Sequence, residues 1–196
     1  MSKKLQILTI LLIAFTVNGC TSMIGLIYGI KKSPTIQTKA SIRSFIEKHH
    51  YDSSSQYYLL SYSALRQLTE LTGTANAILI FDQNGFCVGD SIQRACNGTM
   101  LDLIDSTCSL KATKAPSCKF TLDSLRSNLI KVYPSIADSN FLSGKPTVVL
   151  FWATYLGRYN SSHYFKYVKQ LQKSKHRDSI NLVSVSLDFF DTHTKN

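Results

Sequence analysis

An uninterrupted apolar run at residues 148–152 (VVLFW) is followed by a helical pattern of apolar positions. Continuous β-branched and aromatic sequence is typical of a central strand that is covered on both faces. The pattern after it aligns Phe165, Val168 and Leu171 on one helix face, and a second apolar run occupies residues 180–187. This order of strand, helix and strand predicts two buried parallel strands joined by a helical crossover.

Weaker patterns upstream predict further elements. These are a helix opening at Ser41, a strand at 56–60, a helix at 63–71 capped by Ser63, and helices at 100–104 and 121–132. Two apolar runs within residues 77–90 flank Gln83-Asn84-Gly85, which is a turn signal. A β-hairpin is therefore predicted between the second helix and the later elements.

Residues 151–159 (FWATYLGRY) resemble the active-site segment of thioredoxin-like proteins, in particular the membrane-associated branch with the sequence F-W-A-T-W-C-G-P-C. The resemblance puts Leu156 and Tyr159 at the two cysteine positions and Arg158 at the intervening proline. The degenerate motif comprises Trp152, Tyr155, Leu156, Gly157, Arg158 and Tyr159. In the family the first cysteine is activated at a helix N-terminus, and neither leucine nor tyrosine can replace that nucleophile.

The predicted hairpin also resembles part of the thioredoxin-like family, in which a turn with a cis-proline precedes a segment of the form L-I-D-x-N-G-x-I-V. Asn76 occupies the proline position, which is a second departure from the family. The hairpin precedes the strand at 148–152, and nothing after residue 187 can supply this half of the fold. The resemblance implies an α/β, three-layer thioredoxin-like fold with a mixed sheet and its halves in permuted order. A strand and helix of another α/β fold is the alternative.

The N-terminal residues have the pattern of a targeting segment, with Lys3 and Lys4 before an apolar stretch that ends in Val17-Asn18-Gly19-Cys20. This ending resembles a bacterial lipobox, whose cysteine becomes the lipidated first residue of the mature protein. The resemblance implies a lipoprotein signal peptide at 1–19, lipidation of Cys20, a membrane-proximal tether at 20–40 and a thioredoxin-like domain at 41–196. It also implies a lipid-anchored location at the bacterial cell envelope, outside the cytoplasm. An ordinary cleaved signal and an uncleaved anchor are the alternatives.

The chain has 196 residues, of which 44% are hydrophobic, and this can supply the core of one globular domain. Its formal net charge of +10 favours anionic lipid headgroups and acidic polymers as neighbours. Positive charge is concentrated at Lys166, Lys169, Lys173, Lys175 and Arg177. A solvated helix face is the simpler explanation of this cluster, and docking to a partner or lipid surface is the other. Predicted export and the absence of a recognised motif argue against nucleic acid.

With Cys20 assigned to the anchor, the chain retains Cys87, Cys96, Cys108 and Cys118. An even number of cysteines in an oxidising compartment predicts structural disulfides, although none of the four forms a C-x-x-C pair. Cys96 and Cys108 flank a predicted helix and would lie about 18 Å apart along its axis, too far for a disulfide. Four cysteines allow three disulfide connectivities, and this distance removes the one that pairs Cys96 with Cys108. Of the two that remain, Cys87–Cys96 with Cys108–Cys118 is favoured because it closes short loops. A buried Cys87 thiol and a relocated redox pair are the alternatives.

Other catalytic patterns are absent from the sequence, which has no G-x-S-x-G, P-loop, H-E-x-x-H or glycine-rich dinucleotide motif. His49 and His50 are adjacent and point to different faces, which argues against a paired metal site. His163 lies near the degenerate motif without a nucleophile at fixed spacing, so we expect a surface or half-buried histidine. The sequence thus predicts no catalytic residue, no metal ligand and no cofactor.

These features together predict a membrane-tethered, redox-inactive thioredoxin-like lipoprotein that binds or scaffolds an envelope protein. One alternative is a thiol-disulfide oxidoreductase that uses relocated cysteines, and another is a purely structural envelope lipoprotein. Reduction of a model disulfide substrate would distinguish the oxidoreductase from the other two.

Overall fold

The computed structural model describes residues 36–72, 78–88, 121–135, 141, 144–162 and 164–190. The strands are β1 (Ile36–Gln37), β2 (Gln56–Leu59), β3 (Leu79–Phe81), β4 (Leu129–Lys131), β5 (Thr147–Trp152), β6 (Asn181–Ser186) and β7 (Phe189–Phe190). The helices are α1 (Lys39–Lys48), α2 (Tyr62–Thr72), α3 (Leu122–Arg126), α4 (Arg158–Ser162) and α5 (Tyr164–Lys173). The predicted α/β class is confirmed by this mixture of helices with a mixed sheet.

Five strands form one sheet in the order β3-β5-β6-β2-β4. Its three central strands, β5, β6 and β2, are parallel, and the outer strands β3 and β4 run antiparallel to their neighbours. The predicted parallel pair is confirmed, since β5 and β6 are aligned from Thr147 opposite Asn181 to Trp152 opposite Ser186. A separate two-stranded sheet pairs β1 with β7 in parallel, so two residues beyond the last predicted strand also form a strand.

Every residue of strand β5 is buried, because its side chains enter two different cores. Val148, Leu150 and Trp152 belong to the cluster on one face of the sheet. Val149 and Phe151 belong to the cluster on the other face. This alternation is the two-residue period of a strand, and it explains why the run contains no polar residue.

Helices cover each face of the sheet through apolar positions at helical spacing. On the first face, α1 contributes Ile42 and Ile46, and α5 contributes Leu171. On the second face, α2 contributes Leu68 and α3 contributes Leu125. The resulting layers are helices, sheet and helices, with the two cores on either side of β5 and β6.

The predicted hairpin is confirmed over the residues that the structure describes. Strand β3 ends at Phe81, and an isolated bridge returns the chain from Phe81 to Cys87. At the turn, the Asp82 carboxylate accepts hydrogen bonds from the N–H groups of Asn84 and Phe86, both at 2.9 Å. Because β3 pairs antiparallel with β5, the hairpin encoded upstream lies directly beside the strand that carries the degenerate motif.

The prediction of one helix over residues 121–132 is wrong. Helix α3 ends at Arg126, and Leu129–Lys131 instead forms β4. The backbone of this segment bonds along β2, with the Leu60 N–H donating to Asn128 and the Val132 N–H donating to Gln56. Pairing with the exposed edge of β2 outweighs the helical spacing of the apolar residues, as tertiary contacts commonly do.

Two predicted helix caps also differ. Helix α1 is capped by Thr38, whose hydroxyl accepts from the Ser41 N–H at 3.1 Å while the Ser41 hydroxyl accepts from the Thr38 N–H. Helix α2 begins at Tyr62, and the hydroxyl of Ser61 accepts from the N–H of Ala64 at 3.2 Å. Helix α1 therefore starts two residues earlier than predicted and α2 starts one residue earlier, because in each a hydroxyl nearer the N-terminus provides the cap.

Several predictions lie outside the described residues. These are the signal peptide at 1–19, Cys20, Asn76, Cys96, Cys108, Cys118, His163 and the helix at 100–104. The predicted tether at 20–40 overlaps β1 and the start of α1.

The double coverage of β5 predicts a large loss of stability when its centre is truncated. Leu150→Ala should lower the free energy of unfolding by about 2–5 kcal/mol, because Leu150 is 1% exposed and its removal leaves a cavity. The matched control is Leu60→Ala, where the leucine is 49% exposed and the change should stay within about 0.5 kcal/mol. Chemical denaturation measures both, and equal losses would contradict the assigned burial.

Candidate functional site

The degenerate motif lies where the parallel strands β5 and β6 end. After Trp152 the chain makes a 3-10 turn (Thr154–Leu156), passes Gly157 and enters α4. Gly157 has φ of +52°, a left-handed conformation that favours glycine. The carboxyl edge of parallel strands is the usual position of ligand sites in open α/β sheets, so this edge is the candidate site.

Asp188, two residues past β6, holds the start of the loop in place. Its carboxylate accepts from the Thr154 hydroxyl at 2.6 Å, from the Thr154 N–H at 2.9 Å and from the Ser186 hydroxyl at 2.8 Å. The residue is 4% exposed, so these charge-assisted hydrogen bonds replace the water that the carboxylate has lost. The turn after β5 is therefore fixed to the end of β6.

Asn160 fixes the same loop from the other side. Its side-chain amide donates to the Ala153 carbonyl oxygen at 2.7 Å and accepts from the Ala153 N–H at 3.3 Å. Both residues are buried, so this reciprocal pair satisfies the backbone of Ala153 where the β5 ladder has ended. These two hydrogen bonds therefore connect α4 to the residue that follows β5.

The six motif residues have different environments. Trp152 is fully buried, and its ring stacks on Phe45 with centroids 5.2 Å apart. Tyr155 and Tyr159 pack against the second core cluster, whereas Gly157 and Arg158 are exposed. Burial, and then the negative charge of Asp188, raises the pKa of the Tyr155 hydroxyl, which keeps its proton at neutral pH.

Leu156, which the resemblance puts at the first cysteine position, points into the core. Its side chain is 7% exposed and belongs to the cluster formed with β5, β6 and α2. Its N–H donates to the Ala153 carbonyl oxygen at 3.1 Å, which closes the 3-10 turn. A reactive thiolate needs a solvent-accessible, electropositive position, and this position is apolar and closed.

No family model, curated protein or solved structure matches this chain. Across the described ranges, no helix is both long and apolar enough to span a membrane. Within the same ranges, no three His, Cys, Asp or Glu side chains lie together as metal ligands would.

Cys87 does not lie beside the motif. Its backbone forms an antiparallel β-bridge with Phe81, and Phe81 pairs with Thr147 at the beginning of β5. Trp152 is at the other end of that strand, so the two sites are separated by about 16 Å along the sheet. Cys87 is also 2% exposed and lies in the apolar core, where burial disfavours a nucleophilic thiolate. The predicted disulfides of Cys87 stay predictions, because their partners lie outside the described residues.

Asp188, Asn160 and Ser186 are site residues that were not predicted from the sequence. One available signal was the alternation in β6, where Ser184 and Ser186 interrupt a buried strand at every second position. Polar residues on one face of a buried strand require hydrogen-bond partners, which here include Tyr164 and Asp188. The other signal was Asp188, a carboxylate two residues after that strand.

The three hydrogen bonds to Asp188 predict that its charge maintains the loop. Asp188→Asn should lower the free energy of unfolding by about 2 kcal/mol, because an amide presents an N–H group toward donors and accepts through one oxygen only. Hydrogen exchange at the Thr154 amide should accelerate in parallel. The control is Asp178→Asn, where the side chain is 99% exposed and no measurable change is expected. An unchanged hydrogen-exchange rate of the Thr154 amide in Asp188→Asn would contradict this role of the Asp188 carboxylate.

Proposed function

We propose that this protein is a membrane-tethered, redox-inactive thioredoxin-like module that binds or scaffolds an envelope protein. The observation that carries the proposal is the burial of Leu156 at the position where an active relative would expose its first cysteine. A leucine in the core stabilises the loop, whereas a thiol there would be unreactive. In this proposal Leu156 contributes to the hydrophobic core and takes no part in redox chemistry.

The order of the strands supports the thioredoxin-like part of the proposal. That fold needs a β-α-β half and a β-hairpin half in one sheet. Strands β5 and β6 with the helices between them correspond to the first half, and the hairpin beginning at β3 corresponds to the second. The hairpin precedes the other half in sequence and pairs antiparallel with β5, which agrees with the permuted order.

The carboxyl edge also offers a surface for a partner. Leu60 after β2 and Arg158 after β5 are exposed at this edge, and Asp188 and Asn160 hold the loop that leads to Arg158. An exposed apolar residue and a guanidinium on a preorganised loop favour protein recognition, because little conformational entropy is lost on binding. This surface needs no redox chemistry and no cofactor.

Anchoring through Cys20 supplies the location in this proposal. The motivation is the sequence Val17-Asn18-Gly19-Cys20 after a charged and then apolar start. Several acyl chains would hold the domain stably at a membrane, and its positive net charge would favour an anionic surface. The exported domain would not encounter nucleic acid.

The burial of Leu156 predicts low reactivity for a thiol introduced there. Leu156→Cys should be alkylated at least about tenfold more slowly than Arg158→Cys, two positions away and exposed. Rates are measured on the folded full-length protein, with the wild-type chain as the background. In the same preparations, wild-type protein should not catalyse dithiol-dependent reduction of a model disulfide.

Two results would contradict the redox-inactive assignment. One is alkylation of Leu156→Cys as fast as that of Arg158→Cys, which would mean that the first cysteine position is open. The other is robust reductase activity of the wild type that disappears when Cys87, Cys96, Cys108 or Cys118 is replaced. The second result would establish the oxidoreductase that uses relocated cysteines.

Lipidation is tested by Cys20→Ser in the full-length chain expressed in a bacterium. This variant should lose labelling by a radioactive fatty acid and leave the membrane fraction, because the acylated thiol is absent. Cys87→Ala serves as the control and should retain the label, since Cys87 is buried in the folded domain. Labelling that persists in Cys20→Ser would refute the lipoprotein assignment without affecting the assignment of the fold.

A further inference from the structure

Helix α5 presents a row of lysines to solvent. Lys166, Lys169 and Lys173 are three and four residues apart, so they lie on one side of the helix. All three are exposed, whereas Tyr164 and Leu171 on the opposite side are buried in the first core cluster. The helix therefore holds three positive charges on the side that points away from the sheet, and we call these three residues the α5 lysine face.

The charge of this face is not neutralised within the part of the chain that the structure describes. None of its three lysines forms a salt bridge with a carboxylate there. The sequence from Arg158 to Arg177 contains six lysines and arginines and no Asp or Glu. Helices exposed only to water commonly carry both signs of charge, three or four residues apart, so that the side chains pair. A single sign favours an anionic partner outside the domain.

The two helical layers of the fold differ in charge. Helices α1 and α5 cover the first face of the sheet and contain six basic residues and one acidic residue, a formal charge of +5. Helices α2 and α3 cover the other face and contain two basic and two acidic residues, a formal charge of 0. The attraction of an extended anionic surface is therefore directed at one side of the domain.

The first residues that the structure describes lead into the same layer. After β1 the chain passes Thr38 and enters α1 directly. The ring of His49, which follows α1, stacks on Phe165 at the start of α5 with centroids 5.9 Å apart. The chain that arrives from Cys20 thus joins the domain in the layer that contains the α5 lysine face.

We propose that the α5 lysine face docks on the anionic lipid headgroups of the membrane that holds the protein. No large apolar side chain of α5 is exposed, so the face would lie on the headgroups without entering the hydrocarbon. Each lysine at such a surface strengthens binding about fivefold, and the anchor makes this weak attraction effective by keeping the domain nearby. The inference rests on the membrane location proposed above and adds an orientation, with α2 and α3 facing away from the bilayer.

Orientation is measured by the rate at which each lysine is acetylated at low conversion, read by mass spectrometry. The protein is expressed from the full-length chain, isolated from bacterial membranes and placed in lipid nanodiscs. One set of discs contains phosphatidylcholine alone, and the other contains an equimolar mixture with phosphatidylglycerol. Lys166, Lys169 and Lys173 should each react at least about threefold more slowly in the anionic discs, because headgroup contact shields their amines. This protection should vanish in about 1 M salt, where the Debye length is about 3 Å.

Lys131 is the internal control in the same spectra. Its Nζ lies 5.9 Å from the centroid of the Tyr57 ring, which belongs to the second core cluster. Lys131 is therefore on the face of the sheet that α2 and α3 cover. Its rate should differ by less than about 1.5-fold between the two kinds of disc, because charges more than about 10 Å apart are largely screened at moderate ionic strength.

Two double variants of equal net charge separate this face from the overall basicity of the protein. Lys166→Gln with Lys173→Gln removes two charges from α5. Arg66→Gln with Arg126→Gln removes two exposed charges from α2 and α3. Protection of Lys169 should disappear in the first variant, because the docking affinity falls on the order of 25-fold, and should persist in the second. A cooperative thermal unfolding transition verifies that each variant is folded.

Three results would overturn the proposal. The first is equal acetylation of the α5 lysine face in both kinds of disc, which would leave water or an acidic partner protein as its neighbour. The second is protection of Lys131 as strong as that of α5, which would mean attraction without a preferred face. The third is equal protection of Lys169 in the two double variants.

These outcomes are distinct from a failure of the lipoprotein assignment. Acyl chains and an uncleaved N-terminal segment would both hold the protein in a disc, so the acetylation pattern does not depend on which anchor is present. Persistent fatty-acid labelling of Cys20→Ser would refute lipidation and leave the docking face as it is.

Discussion

The enclosure of β5 is the constraint on which the rest of the structure depends. Strands β3 and β6 bond to its two edges, and the two core clusters cover its two faces. A strand enclosed in this way leaves no backbone group for water, so the residues that follow it need partners from the protein. Asn160 and Asp188 meet that need for Ala153 and Thr154. The rigidity of the candidate site is therefore a consequence of burying the strand before it.

The two faces of the sheet differ because β6 is polar on one side. Val183 and Val185 pack into one core, whereas Ser184 and Ser186 face the other direction. The serines take part in hydrogen-bond networks with Tyr164 and with Asp188, and such networks rigidify a core only when their members are satisfied. The asymmetry gives this face the polar groups that bond to Tyr164 and that help to hold the loop after β5.

The strands and helices around β5 were predictable because their side chains repeat at the period of a strand or of a helix. The same reasoning failed at residues 129–131, where apolar positions at helical spacing belong to a strand. A segment this short satisfies either period, and the edge of β2 decides between them by offering hydrogen-bond partners. The motif after β5 was located correctly at a loop between strand and helix. The inward orientation of Leu156 could not be predicted from the sequence, because it depends on how the second core cluster packs.

The sequence by itself determined the α/β class, the parallel pair and the hairpin. These properties depend on composition and local periodicity, which the chain carries whatever its neighbours are. Tertiary structure decided that Thr154 meets Asp188 across 34 residues and that the Trp152 indole meets Gln56 across 96. It also decided that Tyr51 buries its hydroxyl beside α5. Contacts between distant residues depend on how elements pack, and the period of a single element contains no information about its partner.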